Sequence, residues 1–291
     1  MAVAWSARLC RPAEIRDARR VGGGCISPAA RVESAAADVA FLKWGTPAAL
    51  FREEARSLAA LEATGTLRVP AVLGVGDADG ADPGATGWLL LEWLEPVPAR
   101  AETWATLGRG LARLHRRRAE RFGWPADNFI GPLPQENART GDWAAFWWER
   151  RLLPQLRRAF DAGHFSGGER RRFERLGARL EGRLAAGAED GPSLVHGDLW
   201  SGNVHATGGG PALIDPSSYH GHREVDLAMS ELFGGFGRGF HEAYREEWPL
   251  LPGYAEARRP VYQLYYLLVH VNLFGAGYVG STLAALAAAG E

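Results

Sequence analysis

Three polar residues in the segment LVHGDLWSGNVH have types and a spacing that could support phosphoryl transfer. His196, Asp198 and Asn203 form the pattern H-x-D-x-x-x-x-N, which is the spacing of a kinase catalytic loop. The carboxylate of Asp198 could face a substrate hydroxyl and accept its proton, while Asn203 could reach a metal ion on the phosphate side. A lone aspartate after His-Gly would more often cap a turn or a helix, so the prediction depends on the whole pattern.

A second carboxylate follows at the end of the next short apolar strand. Asp215 ends the strand ALID, and with Asn203 it offers two oxygen ligands to Mg²⁺, an ion usually held by few protein oxygens together with phosphate. The nearby histidines have no His or Cys partner at the spacing of a structural zinc site. No G-x-S-x-G sequence is present, so an esterase triad would lack its nucleophile. The pattern therefore favours magnesium-dependent phosphoryl transfer over hydrolysis.

The chain contains a single lysine. Of its 33 basic residues only Lys43 is a lysine, and it ends the apolar strand VAFLK. Because arginine differs from lysine in shape, hydration and reach, this lysine suggests a compact ammonium site. Glu54 lies on the helix that follows, and kinases use such a lysine–glutamate pair to place an ammonium on the α- and β-phosphates of ATP. The alternative is an exposed ion pair, which would contribute little stability.

Two further segments carry weaker signals for a nucleotide site. The glycine-rich segment ahead of the Lys43 strand is predicted to cover the phosphates; its residues are Gly23, Gly24, Cys25, Ile26 and Ser27. It matches neither G-x-G-x-x-G nor a Walker A sequence, and a glycine-rich hairpin turn would look the same. The backbone of Glu92, Trp93 and Leu94, at the end of a later strand, is predicted to pair with adenine, although a plain linker would look similar.

The elements that must position these residues fall into two parts. Residues 1–95 show strand patterns and one helix, from Pro47 to about Thr64, whereas residues 96–291 are mainly helical. The strands SLVH and ALID lie within the helical part, and GGFGRG at 234–239 is predicted to be a loop between helices. The pattern predicts an α+β fold with a small N-terminal lobe, formed by an antiparallel sheet and one helix, and a larger, mainly helical C-terminal lobe. A cleft between lobes is a common place for a ligand.

The composition argues against several other classes of protein. The chain has 291 residues and a net charge of −1, so it lacks the basic excess typical of nucleic-acid binding. Two cysteines, Cys10 and Cys25, cannot form a disulfide framework, and the first residues lack the apolar core of a signal peptide, so we expect a cytoplasmic protein. Residues 260–290 contain no charged side chain, but their polar and glycine interruptions favour two buried helices over a membrane span.

Taken together, these motifs resemble the fructosamine kinase (ketosamine 3-kinase) family, a branch of the aminoglycoside-phosphotransferase-like and protein-kinase-like fold. The resemblance extends over almost the whole chain and is most specific in HGDLWSGN and REVDLAMSELFGGF. Aminoglycoside and choline kinases share the HGD, Asn and Asp skeleton but usually not the Leu-Trp-Ser-Gly sequence or the ELFGGF run. Ser57 stands where the family commonly has a glycine, a difference that we expect to be harmless.

The resemblance implies transfer of the ATP γ-phosphate to the 3-hydroxyl of a ketosamine, free or protein-bound, with Mg²⁺. Loss of the 3-phosphate would then release the amine, which is deglycation. The roles that it implies by matching positions are the catalytic base (Asp198), the metal ligands (Asn203, Asp215), the phosphate-anchoring pair (Lys43, Glu54), the substrate contacts (Trp200, His196) and a structural acid that braces the catalytic loop (Asp226). The segment Asp127-Asn128-Phe129 matches a family signature to which no role is assigned.

Several alternatives stay open at this point. The chain could be another small-molecule kinase of the same fold, acting on an aminoglycoside, a choline-like amine or a sugar, or a catalytically silent nucleotide-binding scaffold. The preferred ketosamine is open, and so is the oligomeric state, either a monomer or a homodimer linked by oxidation of Cys25. The alternative is that Cys25 is a small buried thiol without a redox role.

Overall fold

A computed structural model describes residues 1–9, 13–22, 27–77 and 86–290. The chain forms two compact units. The first unit contains Met1–Thr103 together with Asn203–Ser217, and the second contains Trp104–Gly202 together with Ser218–Glu291. The division between residues 95 and 96 stays a prediction.

Both units contain strands and helices. The strands are β1 (Ile15–Arg20), β2 (Ala29–Ser34), β3 (Val39–Pro47), β4 (Val72–Asp77), β5 (Thr86–Glu92), β6 (Asn128–Ile130), β7 (Leu133–Gln135), β8 (Ser193–Val195), β9 (Val204–Thr207), β10 (Gly210–Leu213) and β11 (Tyr219–Gly221). The α-helices are α1 (Ala2–Leu9), α2 (Ala48–Glu62), α3 (Ala101–His115), α4 (Trp143–Trp147), α5 (Leu153–Asp161), α6 (Gly167–Gly177), α7 (Leu180–Asp190), α8 (Glu224–Leu232), α9 (Phe240–Glu247), α10 (Arg259–Phe274) and α11 (Val279–Ala288).

The first unit is built on an antiparallel sheet with the strand order β1-β2-β3-β5-β4. Strand β3, which carries Lys43, lies in the middle of the sheet between β2 and β5. Its neighbours are suited to an interior position, because β2 has alternating buried residues and β5 has a buried run. Helix α2 begins directly after β3, because Pro47 ends the strand pairing and stands at the N-cap position of the helix. The strand and the helix expected to hold Lys43 and Glu54 are therefore consecutive elements.

Two elements of the first unit carry weak sequence signals. Strand β1 has the sequence IRDARR and is almost wholly exposed, because it is an edge strand and has no apolar face to alternate. Helix α1 is short, but its Trp5 is buried in a cluster with Val32 and Leu90 of the sheet. The unit thus has two helices among its described residues, where the sequence predicted one.

Residues 203–217 group with the N-terminal sheet although they are distant from it in sequence. Strands β9 and β10 form a hairpin. Bridges between Arg68 and Ala212 and between Pro96 and Thr207 join this hairpin to the N-terminal part of the chain. The hairpin directly precedes Asp215, so the unit that contains Lys43 also contains this carboxylate.

The second unit is mainly helical, with β6 paired to β7 and β8 paired to β11. Helix α10 lies in its core, and α11 follows after a short 3-10 turn, so both helices predicted in residues 260–290 are present. Trp143 and Trp147 are fully buried in the same core. Among the described ranges, no helix has the length and apolar character needed to cross a bilayer.

Candidate active site

Lys43 is held by two carboxylates of the first unit. Its Nζ donates to Glu54 Oε1 at 2.9 Å, to Glu54 Oε2 at 2.8 Å and to Asp215 Oδ1 at 3.1 Å. An ammonium has three N–H donors, so every one of them has an acceptor. Only 11% of the Lys43 side chain and 14% of the Glu54 side chain are exposed. The structure therefore brings together three of the residues that the sequence predicted for the site.

The charges of this cluster affect one another strongly. Burial alone would lower the pKa of Lys43, but the attraction of Glu54 and Asp215 is stronger and holds the pKa above its usual value. Burial raises the pKa of Glu54 to about 7, because the attraction of Lys43 only partly opposes the burial and Asp215 adds to the rise. Lys43 is therefore a fixed positive charge at neutral pH, as an anchor for phosphate requires.

Asp215 has an unusual backbone conformation. Its φ is +53°, one of two positive values at non-glycine positions in the described part of the chain. Such a conformation costs free energy, and strained residues concentrate at functional sites. The backbone N–H of Ile214 donates to the carbonyl of Asn203 at 3.1 Å, which joins the segments of the two predicted metal ligands. Asn203 is 5% exposed and lies in the same unit.

The loop that carries Asp198 is braced within the second unit. Asp226, in the first turn of α8, accepts hydrogen bonds from the backbone N–H groups of His196 at 2.7 Å and Gly197 at 2.9 Å. His115 Nε2 lies 3.0 Å from the same carboxylate, which is fully buried. Burial would raise the pKa of Asp226, but the hydrogen bonds from His115 and from the backbone lower it below its usual value. The carboxylate therefore stays ionised.

Further contacts fix the conformation of this loop. Gly197 has a φ of +85°, and its carbonyl accepts the hydroxyl of Tyr266 at 2.9 Å. The backbone N–H of Asp198 donates to His196 Nδ1 at 3.3 Å, and the N–H of Trp200 donates to the carbonyl of Asp198 at 3.1 Å. His196 is fully buried, whereas Asp198 and Trp200 are partly exposed. Contact of His196 and Trp200 with a substrate stays a prediction.

The glycine-rich stretch at 234–239 has a position that the sequence did not indicate. It does connect α8 to α9, but it also packs against the residues that follow Asp198. Gly235 has a φ of +88°, and a Cβ at this position would lie 2.2 Å from Ser201 Oγ. A Cβ on Gly202 would likewise lie 2.1 Å from the Trp200 ring. The paired glycines of ELFGGF and the glycine of WSGN were the available signals for this close packing.

The predicted nucleotide contacts of the first unit are only partly described. Gly23, Gly24, Cys25 and Ile26 lie outside the described residues, and Ser27 is half-buried. The backbone N–H of Glu92 donates to the carbonyl of Ala71 at 2.9 Å, so this donor already has a partner within the protein. Trp93 Nε1 donates to Glu95 at 2.7 Å, and Leu94 is buried. Pairing of adenine with the backbone of residues 92–94 stays a prediction.

Comparison with known protein families gives one consistent result. A family model described as fructosamine kinase matches residues 1–289. A protein of Thermus thermophilus named a probable ketoamine kinase is 43% identical over 243 residues, which cover 83% of each chain. The ketosamine-3-kinase of Mus musculus is 33% identical over 292 residues, covering 90% of this chain and 91% of the mouse protein.

Solved structures resemble the chain over nearly its whole length. A crystal structure of a candidate fructosamine-3-kinase from Thermobifida fusca has a TM-score of 0.87 and 36% identity, covering 99% of this chain and 98% of that one. An amicoumacin kinase in complex with AMP-PNP has a TM-score of 0.59 and 13% identity, with 94% and 89% covered. The second likeness concerns the fold alone, and the predicted α+β protein-kinase-like fold is confirmed.

Proposed function

The chain belongs to the fructosamine kinase family, and from that premise we propose that it transfers the γ-phosphate of ATP to the 3-hydroxyl of ketosamines. The resemblance predicted from the motifs is thereby confirmed, and so is a phosphotransferase with an alcohol group as acceptor. The observation that carries the proposal is the bonding of Lys43 to both Glu54 and Asp215. An ammonium paired to a helix carboxylate is the arrangement that kinases use to anchor the phosphates of ATP.

In the proposed reaction, Asp198 orients the 3-hydroxyl and accepts its proton. The hydroxyl oxygen then forms a bond to the γ-phosphorus, the bond from that phosphorus to the β,γ-bridging oxygen breaks, and ADP leaves. Lys43 places positive charge on the α- and β-phosphates, which stabilises the charge that develops on the leaving group. The contacts to Asp226 hold the backbone before Asp198 in one conformation, so the base needs little reorganisation during the reaction.

Two side chains of the first unit suit a magnesium ion. Asn203 and Asp215 provide one amide oxygen and one carboxylate, and Mg²⁺ is commonly bound by one or two protein carboxylates together with substrate phosphates. We propose that these two residues hold Mg²⁺, which would neutralise charge on the phosphates. The left-handed backbone of Asp215 is in keeping with a residue kept for function.

The chemistry of the product explains why the reaction would reverse glycation. A 3-phosphate stands next to the C2 ketone of the sugar. Enolisation towards C1 forms a C1–C2 double bond, and electrons from this system expel phosphate from C3. Addition of water at C1 then releases the amine, and the sugar leaves as a dicarbonyl compound. The proposed outcome is repair of a glycated amine.

Magnesium-dependent ATP consumption with a panel of acceptors tests the proposal. The panel contains ribulose-lysine, fructose-lysine, kanamycin, choline and ribose, and Asp198→Asn serves as the inactive control. We expect turnover of ketosamines only, lost in the variant, and a ranking of the sugars. Turnover of another acceptor alone would move the chain to a different substrate class within the same fold. ATP binding without turnover of any acceptor would support the silent scaffold.

We also propose a cellular location and an oligomeric state for this activity. With two cysteines in 291 residues, the chain suits the reducing cytoplasm, where thiols persist. It works as a monomer or as a homodimer linked by oxidation of Cys25, a residue outside the described ranges. Non-reducing electrophoresis after oxidant treatment, with Cys25→Ser as the control, distinguishes these states. A dimer that persists in the Cys25→Ser variant would contradict the linkage.

A further inference from the structure

Three buried side chains form a directional chain of hydrogen bonds in the second unit. Arg151 Nη2 donates to Asn137 Oδ1 at 2.7 Å, and Asn137 Nδ2 donates to Asn128 Oδ1 at 2.7 Å. Asn128 Nδ2 then donates to the backbone carbonyl of Ser218 at 2.8 Å. The three residues are 0%, 1% and 2% exposed, in that order. We call this chain of donors the Arg151 relay.

The relay begins at a positive charge that has no carboxylate partner within the described ranges. Arg151 also donates to the carbonyl of Glu136 at 2.7 Å, and its guanidinium lies 4.1 Å from the ring centroid of Tyr219 and 4.7 Å from that of Phe146. A buried cation is costly, and in a protein interior each hydrogen bond polarises the next. The charge therefore sets the direction of both amides and strengthens the final bond to Ser218.

The carbonyl at the end of the relay belongs to the backbone beside the catalytic loop. Ser218 directly precedes β11, and Tyr219 of β11 pairs with Val195 of β8. Strand β8 ends at Val195, and the next three residues in the chain lead to Asp198. Fixing Ser218 thus fixes the strand against which β8 pairs.

A branch of the relay reaches the loop through α10. Asn128 Oδ1 accepts a second hydrogen bond, from Gln135 Nε2 at 3.0 Å, and Gln135 Oε1 accepts the hydroxyl of Tyr265 at 2.7 Å. The next residue, Tyr266, donates to the carbonyl of Gly197 at 2.9 Å. Asn128 is the member of the network from which both routes to the loop begin.

We propose that the Arg151 relay is a positioning device for Asp198, and that Asn128, the centre of the Asp127-Asn128-Phe129 segment, is its key positioning residue. The inference rests on the proposed function, since it assigns a role in the reaction to a residue that touches no reacting atom. Asparagine is required because the position needs an acceptor towards Asn137 and a donor towards Ser218. A displacement of about 1 Å at a reacting group can cost roughly 100-fold in rate.

The substitution Asn128→Asp tests the relay most directly. It keeps the volume and the acceptor but removes the donor to Ser218, whose carbonyl would then face a carboxylate. We expect kcat to fall by about 10- to 100-fold, with the KM for ATP within about threefold of wild type. Asn272→Asp is the control for the same substitution at a half-buried asparagine, because Asn272 Nδ2 donates to Gln155 O at 3.0 Å and Oε1 at 2.8 Å, and neither residue is part of the relay or of its branch. It should lower Tm but leave kcat within about twofold.

Arg151→Met tests whether the residues act as one device. If they do, the double variant Asn128→Asp/Arg151→Met has a kcat within about threefold of that of the less active single variant, because each substitution breaks the same chain of hydrogen bonds. Asn128→Ser replaces Asn128→Asp if the latter does not fold. A loss of kcat in the double variant equal to the product of the two single losses would overturn the proposal. Equal losses of kcat in Asn128→Asp and Asn272→Asp would also overturn it.

Amide hydrogen exchange can be measured without knowing which substrate accepts the phosphate. We expect faster amide exchange over residues 193–199 and 218–221 in Asn128→Asp than in Asn272→Asp. A wild-type protein that leaves ketosamines unchanged would refute the proposed function, and the exchange comparison would still decide the relay. Unchanged exchange over both segments, or a kcat within about twofold of wild type, would refute the relay alone.

Discussion

Asp226→Asn separates the bracing of the catalytic loop from the general stability of the second unit. The carboxylate of Asp226 accepts from His196 N, Gly197 N and His115 Nε2, at 2.7, 2.9 and 3.0 Å. The amide of an asparagine keeps one oxygen, but its NH₂ group must point at one of these donors. The substitution preserves the volume of the side chain, so its effects come from the loss of one hydrogen-bond acceptor and of the negative charge.

The magnitude follows from the number and burial of these bonds. Asp226 is fully buried, so solvent does not weaken its interactions. Leaving a buried donor without a partner costs about 1 to 3 kcal/mol, and hydrogen bonds to a charged group are stronger than neutral ones. We therefore expect the free energy of unfolding to fall by about 2 to 4 kcal/mol. In a chain of this size, Tm should fall by about 4 to 8 °C, at roughly 2 °C per kcal/mol.

The same carboxylate makes this loss depend on pH. The folded-state pKa of Asp226 is lowered from 3.8, so its ionised form contributes stability that is fully present above that value. The contribution disappears as the pH falls from 3.8 towards the folded-state pKa. The difference in stability between wild type and Asp226→Asn should thus be constant above about pH 5 and shrink below pH 4.

Denaturant unfolding at several pH values and steady-state kinetics measure both effects, with Asp190→Asn as the control. Asp190 contacts His222 and Arg223, and these partners lower its pKa to about 2 although burial opposes the shift. The control should lose stability and keep kcat, whereas Asp226→Asn should also lose about 100-fold in kcat. Equal kcat values in the two variants, or a stability difference that does not change below pH 4, would refute the reasoning.

Three further predictions concern the other groups of the site. Lys43→Met should lower kcat roughly 100- to 1,000-fold, and adding Glu54→Gln should recover stability but no activity, as ATP turnover and Tm would show. Gly235→Ala should lower the free energy of unfolding by about 1 to 3 kcal/mol more than Gly234→Ala does, because both positions have positive φ but only Gly235 approaches Ser201. Denaturant unfolding measures both losses, and equal losses would contradict the packing argument. Asp215→Asn should raise the Mg²⁺ concentration for half-maximal rate by about tenfold or more, a change that a magnesium titration measures and that Asp127→Asn should not produce.

The sequence and the structure agree best where residue type and chemistry are linked directly. Lys43 and Glu54 were predicted from one lysine at a strand end and one carboxylate on the next helix, and the structure places them in contact. This pair is local, since consecutive elements bring it together. The family is likewise predicted from the motifs HGDLWSGN and REVDLAMSELFGGF, and the α+β fold from the order of strand and helix patterns along the chain.

Features that depend on distant segments had no comparable signal. The grouping of residues 203–217 with the N-terminal sheet arises from bridges such as Arg68 to Ala212, which no local pattern encodes. The approach of Gly235 to Ser201 and the Arg151 relay also join segments far apart in the chain. Strand β1 was missed because an exposed edge strand lacks the apolar alternation by which strands are recognised.

The single lysine has a consequence for the protein as a chemical target. Reducing sugars condense with amines that have an unprotonated lone pair, and Lys43 is the one ε-amine in these 291 residues. Its pKa is held above the usual value by Glu54 and Asp215, and Nζ lies within hydrogen-bond distance of three carboxylate oxygens. We therefore expect an enzyme proposed to repair sugar adducts on lysine to resist forming them on its own lysine. Any reagent that does label this amine reports directly on the opening of the phosphate-anchoring cluster.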